Sequence, residues 1–194
     1  MPYFSIIIPV YNRPYEVDEL LHSLTLQTFT DFEVLLIEDG SSVKCDIIAN
    51  NYSDHINVRY YYKENTGRSE TRNFGMEKAE GEYFVFFDSD CVIPSFYFEK
   101  IKDKLNLNYT DSYGGPDKAD ESFTNLQKAI NFSMTSFLTT GGIRGSKGTK
   151  MEKFVPRTFN MGFSKVVYDA VGGFEDMFGE DIDLSLRIRN RGFT

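Results

Sequence analysis

Several things are scarce in this chain, and each scarcity closes off a class of function. Cysteine occurs only twice, as Cys45 and Cys91. The two show no metal-ligand or redox spacing, and a pair of isolated free thiols suits a reducing compartment. Histidine also occurs only twice, as His22 in an expected helix and His55 in an expected polar loop. No apolar stretch approaches the roughly 20 residues that a membrane span needs, and no signal-like segment precedes Tyr3. Positive charge is scarce too: 21 Lys and Arg stand against 29 Asp and Glu, a net charge of −8. That balance argues against a general nucleic-acid binder, which needs a basic face to neutralise phosphates. Internal repeats and low-complexity tracts are missing. A chain of 194 residues forms one domain with a real core, and these features place it in the cytoplasm.

What is present is a series of buried strands that end in acid. Tyr83-Phe84-Val85-Phe86-Phe87 reads as a strand covered on both faces, and Asp88-Ser89-Asp90 follows directly. Open α/β sheets bind ligands at the carboxyl ends of their strands. Two aspartates one residue apart direct hard oxygen donors into a small volume, which suits Mg²⁺ or Mn²⁺ beside nucleotide phosphates. Taken alone the tripeptide would serve equally as a polar turn. Its surroundings favour the site. Ser5–Ile8 reads as a central strand ended by Pro9, which cannot donate to a ladder. Val17, Leu20, Leu21 and Leu24 then mark an amphipathic helix, and residues 32–37 make a second strand ending in Glu38-Asp39-Gly40-Ser41. Strand, helix and strand form a right-handed parallel βαβ unit. A third strand over residues 58–62 leads through Glu64-Asn65-Thr66-Gly67 into a helix over residues 69–79. The expected fold class is α/β, a mostly parallel central sheet flanked by helices, with the polar strand ends on one edge.

The motifs in order resemble the family 2 glycosyltransferases with the A-type nucleotide-diphospho-sugar transferase fold. They are Ile8-Pro9-Val10-Tyr11-Asn12, Glu38-Asp39-Gly40-Ser41, Asn65-Thr66-Gly67 with Thr71-Arg72-Asn73, Gly81-Glu82-Tyr83, the Asp88-Ser89-Asp90 (DXD) motif, Asn160-Met161-Gly162-Phe163, Val171-Gly172-Gly173-Phe174 and Gly179-Glu180-Asp181-Ile182-Asp183-Leu184. Each is weak alone, and their joint occurrence in this order is specific for the family but not for any one sugar. The resemblance implies a metal-dependent, inverting transfer of a sugar from a nucleotide-diphosphate sugar, a UDP-sugar by preference, to a hydroxyl of a saccharide or lipid-linked saccharide, as in polysaccharide biosynthesis. A lipid-linked acceptor would bring the protein into peripheral contact with the inner face of a membrane.

The resemblance also assigns roles. Residues 1–90 become the nucleotide-binding half and residues 91–194 the acceptor-side half of a single domain. Pro9, Val10, Tyr11, Asn12 and Arg13 close over the nucleotide, Asp39 accepts the imide N–H of uracil, and Gly67 and Arg72 lie on the base side. Asp88 and Ser89 reach the nucleotide, with Asp88 on the ribose or on the metal through water, and Asp90 ligates Mg²⁺ or Mn²⁺ directly. Arg13 and Arg68 suit the diphosphate. Asp181, the second acid of its pair, is the general base, with Glu180 as the other candidate. Ordinary alternatives accompany several of these: Asp39 as an Asx turn before Gly40, Tyr11 as a core aromatic, and Glu180 and Asp181 as first-turn acids that complement a helix dipole.

On the acceptor side, Gly114 and Gly115 would let backbone approach the sugar, and Asn160, Met161 and Gly162 resemble the family's acceptor-proximal strand. Residues 141–153 hold four glycines and four cations against one acid, the composition either of a solvated loop or of a lid over the diphosphate. Phe123, Leu126, Ala129, Ile130, Met134 and Phe137 suggest an amphipathic helix. The chain is expected to be a fragment truncated at its C-terminus, because the family continues past the Glu180-Asp181 helix and often draws a histidine metal ligand from there. Two other readings compete. A sugar-phosphate nucleotidylyltransferase would need a Gly- and Arg-rich loop where Pro9-Val10-Tyr11-Asn12 stands, and a non-catalytic nucleotide-sugar-binding module would not need both acidic pairs.

Overall fold

The structure, a computed structural model, describes residues 1–115 and 157–194. The described strands are β1 (Phe4–Val10), β2 (Phe32–Asp39), β3 (Val58–Lys63), β4 (Tyr83–Phe86), β5 (Ser112–Gly114) and β6 (Met161–Ser164). The helices are α1 (Pro14–Thr25), α2 (Asp46–Tyr52), α3 (Arg68–Lys78), α4 (Tyr97–Leu107), α5 (Lys165–Val171) and α6 (Glu180–Asn190). The strands make one sheet in the order β3-β2-β1-β4-β6-β5. β1 pairs in parallel with β2 and β4, and β2 with β3, while β6 runs antiparallel to both β4 and β5.

Side chains alternate across the pleat, so β1, β2 and β4 each feed two cores. Phe4, Ile6, Ile8 and Val10 join Val34, Leu36 and Val85 beneath α1, α2 and α4. Ile7, Leu35, Ile37, Phe84 and Phe86 face the other way, against Met76 of α3, Val167 of α5 and Leu184 and Ile188 of α6. Covered on both sides, β1, β2 and β4 are buried almost throughout, which is why the sequence shows unbroken apolar runs there. In α1, Pro14 occupies the first turn, where its missing N–H costs nothing, and Val17, Leu20, Leu21 and Leu24 are buried. At the sheet end opposite the acidic edge, the buried carboxylate of Glu33 takes hydrogen bonds from Ser5 Oγ at 2.7 Å and Arg59 Nη1 at 2.8 Å.

Two boundaries differ from the sequence reading. β1 does not end at Pro9 but runs through it to Val10. Phe87 N–H reaches the carbonyl of Ile7, so odd-numbered residues of β1 face β4, yet β4 stops at Phe86. The donor that Pro9 lacks would face Phe87, so proline ends the pairing with β4 while β1 goes on beside β2 to Val10. Likewise β2 continues through Glu38 and Asp39, so these acids belong to a strand and not to a turn. The expected helix within residues 123–137 and the expected lid over residues 141–153 lie outside the described residues. Among the described residues no helix is long and apolar enough to cross a membrane.

Candidate functional site

The carboxyl ends of β1, β2 and β4 lie side by side because the three strands are parallel neighbours. They open onto a cleft of about 530 Å³ lined by Pro9, Val10, Tyr11, Arg13, Asp39, Asn65, Gly67, Arg68, Arg72, Asp88, Ser89, Asp90 and Thr158. A crevice at the strand ends of an open α/β sheet is the usual ligand position. Residues distant in sequence thus supply carboxylates, guanidinium groups and an exposed aromatic, Tyr11, to one volume.

At one end of the cleft Asp39 is buried and densely hydrogen-bonded. Its Oδ1 accepts from Lys63 Nζ and from Thr66 N–H at 3.0 Å, and its Oδ2 accepts from Gly67 N–H at 3.0 Å. Burial alone would push its carboxyl upward, but the bonds from Lys63, Thr66 and Thr71 prevail and hold it below the usual carboxylate range. Asn65 Nδ2 donates to the Asp39 carbonyl at 2.8 Å, so the 64–67 loop is fastened to the end of β2. This closeness requires glycine next door. Gly40 sits at φ +73°, and a Cβ there would stand 2.7 Å from Asn65 N. Gly40→Ala is therefore expected to lower the melting temperature, read by thermal unfolding; an unchanged melting temperature would detach the 64–67 loop from the end of β2.

At the other end, Arg72 of α3 is buried between two acids. Its Nη1 donates to Glu180 Oε1 at 3.2 Å and its Nη2 to Asp88 Oδ1 at 3.1 Å, while Nε is buried with no hydrogen-bond partner. Burial lowers the affinity of this guanidinium for its proton, and the charges of Asp88 and Glu180 oppose that loss. Burial likewise lifts the Asp88 carboxyl above its ordinary range; Arg72 opposes the rise and Asp90 adds to it. Arg68 closes on Glu180 from the solvent side, Nε to Oε1 at 3.0 Å. Asp90 is exposed and makes no hydrogen bond to another described residue.

Glu180 and Asp181 occupy the first turn of α6, yet they are not equivalent. Glu180 is enclosed by two arginines. Asp181 accepts from the Ile182 N–H at 2.9 Å through Oδ1, and its Oδ2 stands 3.4 Å from Arg157 Nη1. Both carboxylates are buried.

Other sequence candidates fall elsewhere. Asn12 is not among the cleft-lining residues; at φ +53° its Oδ1 accepts from Ser42 N–H, Ser42 Oγ and Val43 N–H, tying the β1–α1 loop to the β2–α2 loop. Glu38 points away from Asp39 and accepts from Cys45 N–H and Tyr60 Oη. Burial, aided by Glu38, pushes the Cys45 thiol up to about 12, a structural and not a reactive cysteine. Gly114 and Met161 border a different hollow, with Ser185, Ile188 and Phe193. A Cβ on Gly115 would stand 2.3 Å from Asn160 Nδ2, and one on Gly162 2.5 Å from Tyr113 Cε1, so these glycines serve close internal packing. Lys63, Asn65, Arg157 and Thr158 are the site's additions. The parallel register Asp39↔Lys63 would have pointed to Lys63; no sequence signal marks Arg157.

The family model of Glycosyl transferase family 2 matches residues 5–172. Among curated relatives, the minor teichoic acid biosynthesis protein GgaB of Bacillus subtilis (strain 168) is 34% identical over 114 residues, 57% of this chain and 12% of its own. Among solved structures, S. aureus TarS 1–349 in complex with UDP superimposes with a TM-score of 0.74 at 22% identity, covering 95% of this chain and 54% of that one. The mannosyltransferase PcManGT from Pyrobaculum calidifontis, in complex with GDP-Man and Mn²⁺, gives 0.72 at 17% identity, covering 99% and 53%. The chain spans 12% of the length of GgaB and 44% of that of an uncharacterized glycosyltransferase of Haemophilus influenzae. The mixed sheet and its flanking helices are the A-type fold of these neighbours.

Proposed function

The chain belongs to glycosyl transferase family 2, and on that premise we propose that it transfers a sugar from a nucleotide-diphosphate sugar, a UDP-sugar, to a hydroxyl of a saccharide or lipid-linked saccharide, with inversion. The observation that carries this reading is the single cleft in which Asp39, Arg68, Arg72, Asp88 and Asp90 meet, with α6 bound to it through Glu180. Asp39, with Val10 and Tyr11, receives the nucleobase. Arg13 and Arg68 face the diphosphate, and Arg68 is free to reach it by leaving the solvent side of Glu180. The complexes of TarS with UDP and of PcManGT with GDP-Man are in keeping with a nucleotide-sugar donor.

Asp90 and Asp88 fit a divalent cation. They offer hard oxygen donors on one turn, although Asp88 commits Oδ1 to Arg72. Among the described residues no three acids, histidines or cysteines gather into a metal cluster, so nucleotide oxygens are needed to complete the shell and affinity without nucleotide is low. When bound, Mg²⁺ or Mn²⁺ neutralises charge on the departing diphosphate. Asp181 takes the proton from the acceptor hydroxyl as that oxygen attacks the anomeric carbon opposite the leaving group. Residues 1–90 and 91–194 act as the donor and acceptor halves of one domain.

The test is Asp90→Asn. The side chain is exposed, so the melting temperature should hold while Mn²⁺-dependent UDP affinity, measured by calorimetry with Mn²⁺ and with chelator, falls at least about tenfold, the loss of one charged contact. Unchanged metal-dependent affinity would refute the assignment. Release of free UDP, as opposed to pyrophosphate, separates sugar transfer from nucleotidyl transfer.

A further inference from the structure

Lys63 is the last residue of β3 and looks, by position, like one more cation for the diphosphate. Its geometry says otherwise. An ammonium group has three donors, and Nζ meets three acceptors: Asp39 Oδ1, the Glu64 carbonyl at 3.0 Å and Thr66 Oγ1 at 2.6 Å. Its side chain is only 15% exposed. It therefore has no donor left for a phosphate, and its whole hydrogen-bonding capacity is spent on Asp39 and on the loop that wraps Asp39. Resting on the nucleotide-sugar reading above, we propose that Lys63 is a positioning and selectivity residue: it keeps Asp39 an acceptor-only carboxylate in one orientation, so the cleft takes bases that present a ring N–H, uracil or guanine, and rejects cytosine.

The chemistry of the base edges makes this selective. Uracil and guanine both carry a ring N–H beside a carbonyl, whereas neutral cytosine carries a bare ring nitrogen at that place. An ionised carboxylate accepts from the first two and is repelled by the lone pair of the third. A buried carboxylate without its cation would take up a proton more readily and would then be a donor, losing the first interaction and gaining the second. Thr66 and Gly67 N–H groups remain in the absence of Lys63, so the carboxylate keeps part of its support and the change develops only on acidification. The other ionisable groups facing the cleft are Tyr11, Arg13, Arg68, Arg72, Asp88 and Asp90. They are common to wild type and variant, and their own titration cancels in a ratio of affinities.

The experiment measures UDP, GDP and CDP binding with Mn²⁺ by calorimetry for the wild type, Lys63→Met and Lys63→Arg, from about pH 8 down to about pH 4, a range that reaches the ordinary aspartate value and covers raised ones. Lys63→Met should weaken binding of UDP, or of GDP if guanine is the natural base, at least about tenfold at the acid end. The ratio of wild-type to Met affinity should grow as pH falls, discrimination against CDP should shrink, and Lys63→Arg should restore most of both. A ratio that is the same at every pH, with no rescue by arginine, means Lys63 only braces the loop and overturns the proposal. Wild-type CDP affinity equal to that of UDP and GDP, which needs no variant to fold, overturns it as well. A wild type that binds none of the three overturns the nucleotide reading itself.

Discussion

Asp181→Asn is expected to keep nucleotide binding and to lose at least about 10²-fold in sugar transfer, the low end of what a positioned general base supplies. The exchange is nearly isosteric. The amide oxygen still accepts from the Ile182 N–H, which Oδ1 does at 2.9 Å in the wild type, so α6 keeps its first turn. What disappears is the group that can accept the acceptor's proton. Asp181 suits that task better than its neighbour for a geometric reason: Glu180 is held by Arg68 and Arg72 together, and both of its oxygens are already engaged by their guanidinium groups. Arg157 stands at the longer distance of 3.4 Å from Asp181, and a contact of that length yields to an incoming hydroxyl. Transfer assays on a common acceptor, with UDP affinity measured in parallel, check the split. Near wild-type turnover in the variant would remove Asp181 from the chemistry, and the enclosure of Glu180 would then point to a base on another element.

Much of this fold is written in the sequence, for a physical reason. β1, β2 and β4 are covered on both faces, so their residues have no polar option and the runs stand out. Boundaries depend on neighbours instead. Pro9 looks like a strand end when β1 is considered alone, but it ends only the pairing with β4, and β1 goes on beside β2. Glu38 and Asp39 look alike as consecutive acids, but the pleat sends one to Cys45 and Tyr60 and the other to the cleft. The α/β class, with parallel strands at its centre, follows from the alternation of these strands with amphipathic helices.

The candidate cleft is legible where a strand end fixes the position of a motif. Asp39, Asp88 and Asp90 reach one cleft because parallel neighbours end on one edge. Partners brought in from elsewhere are not. Lys63 meets Asp39 through cross-strand register, and Arg157 meets Asp181 through a contact between a loop and a helix start. Neither leaves a local signature. The glycines of β5 and β6 are less legible for a related reason: a small residue signals close approach without naming what approaches, and at Gly115 it is Asn160.

Arg72 joins the two acids at its end of the cleft, Asp88 and Glu180, and Arg72→Met is expected to be the most destabilising single change in the site. The guanidinium joins α3 to the Asp88 turn and to the start of α6, and it packs over the Phe174 ring at 5.6 Å. Methionine fills most of that volume, so little of the effect comes from a cavity. The cost arises from Glu180, which stays buried with Arg68 as its remaining partner. Removing one member of a buried ion pair costs about 3–5 kcal/mol. Because Arg68 remains, the low end applies, about 3 kcal/mol, or a fall in Tm of roughly 6–12 °C for a chain of this size. UDP affinity should fall as well, because Asp88 loses the contact that orients it. Arg72→Lys keeps the charge but not the fork that spans two carboxylates, and it should recover only part of either loss. The decisive comparison is Arg72→Met combined with Glu180→Gln. If the stranded charge is the cause, the second change returns stability without returning UDP affinity, and the two substitutions are strongly non-additive. A double variant as unstable as Arg72→Met alone would place the cost in the packing against Phe174 and would deny Arg72 its role as the bridge between the two acids.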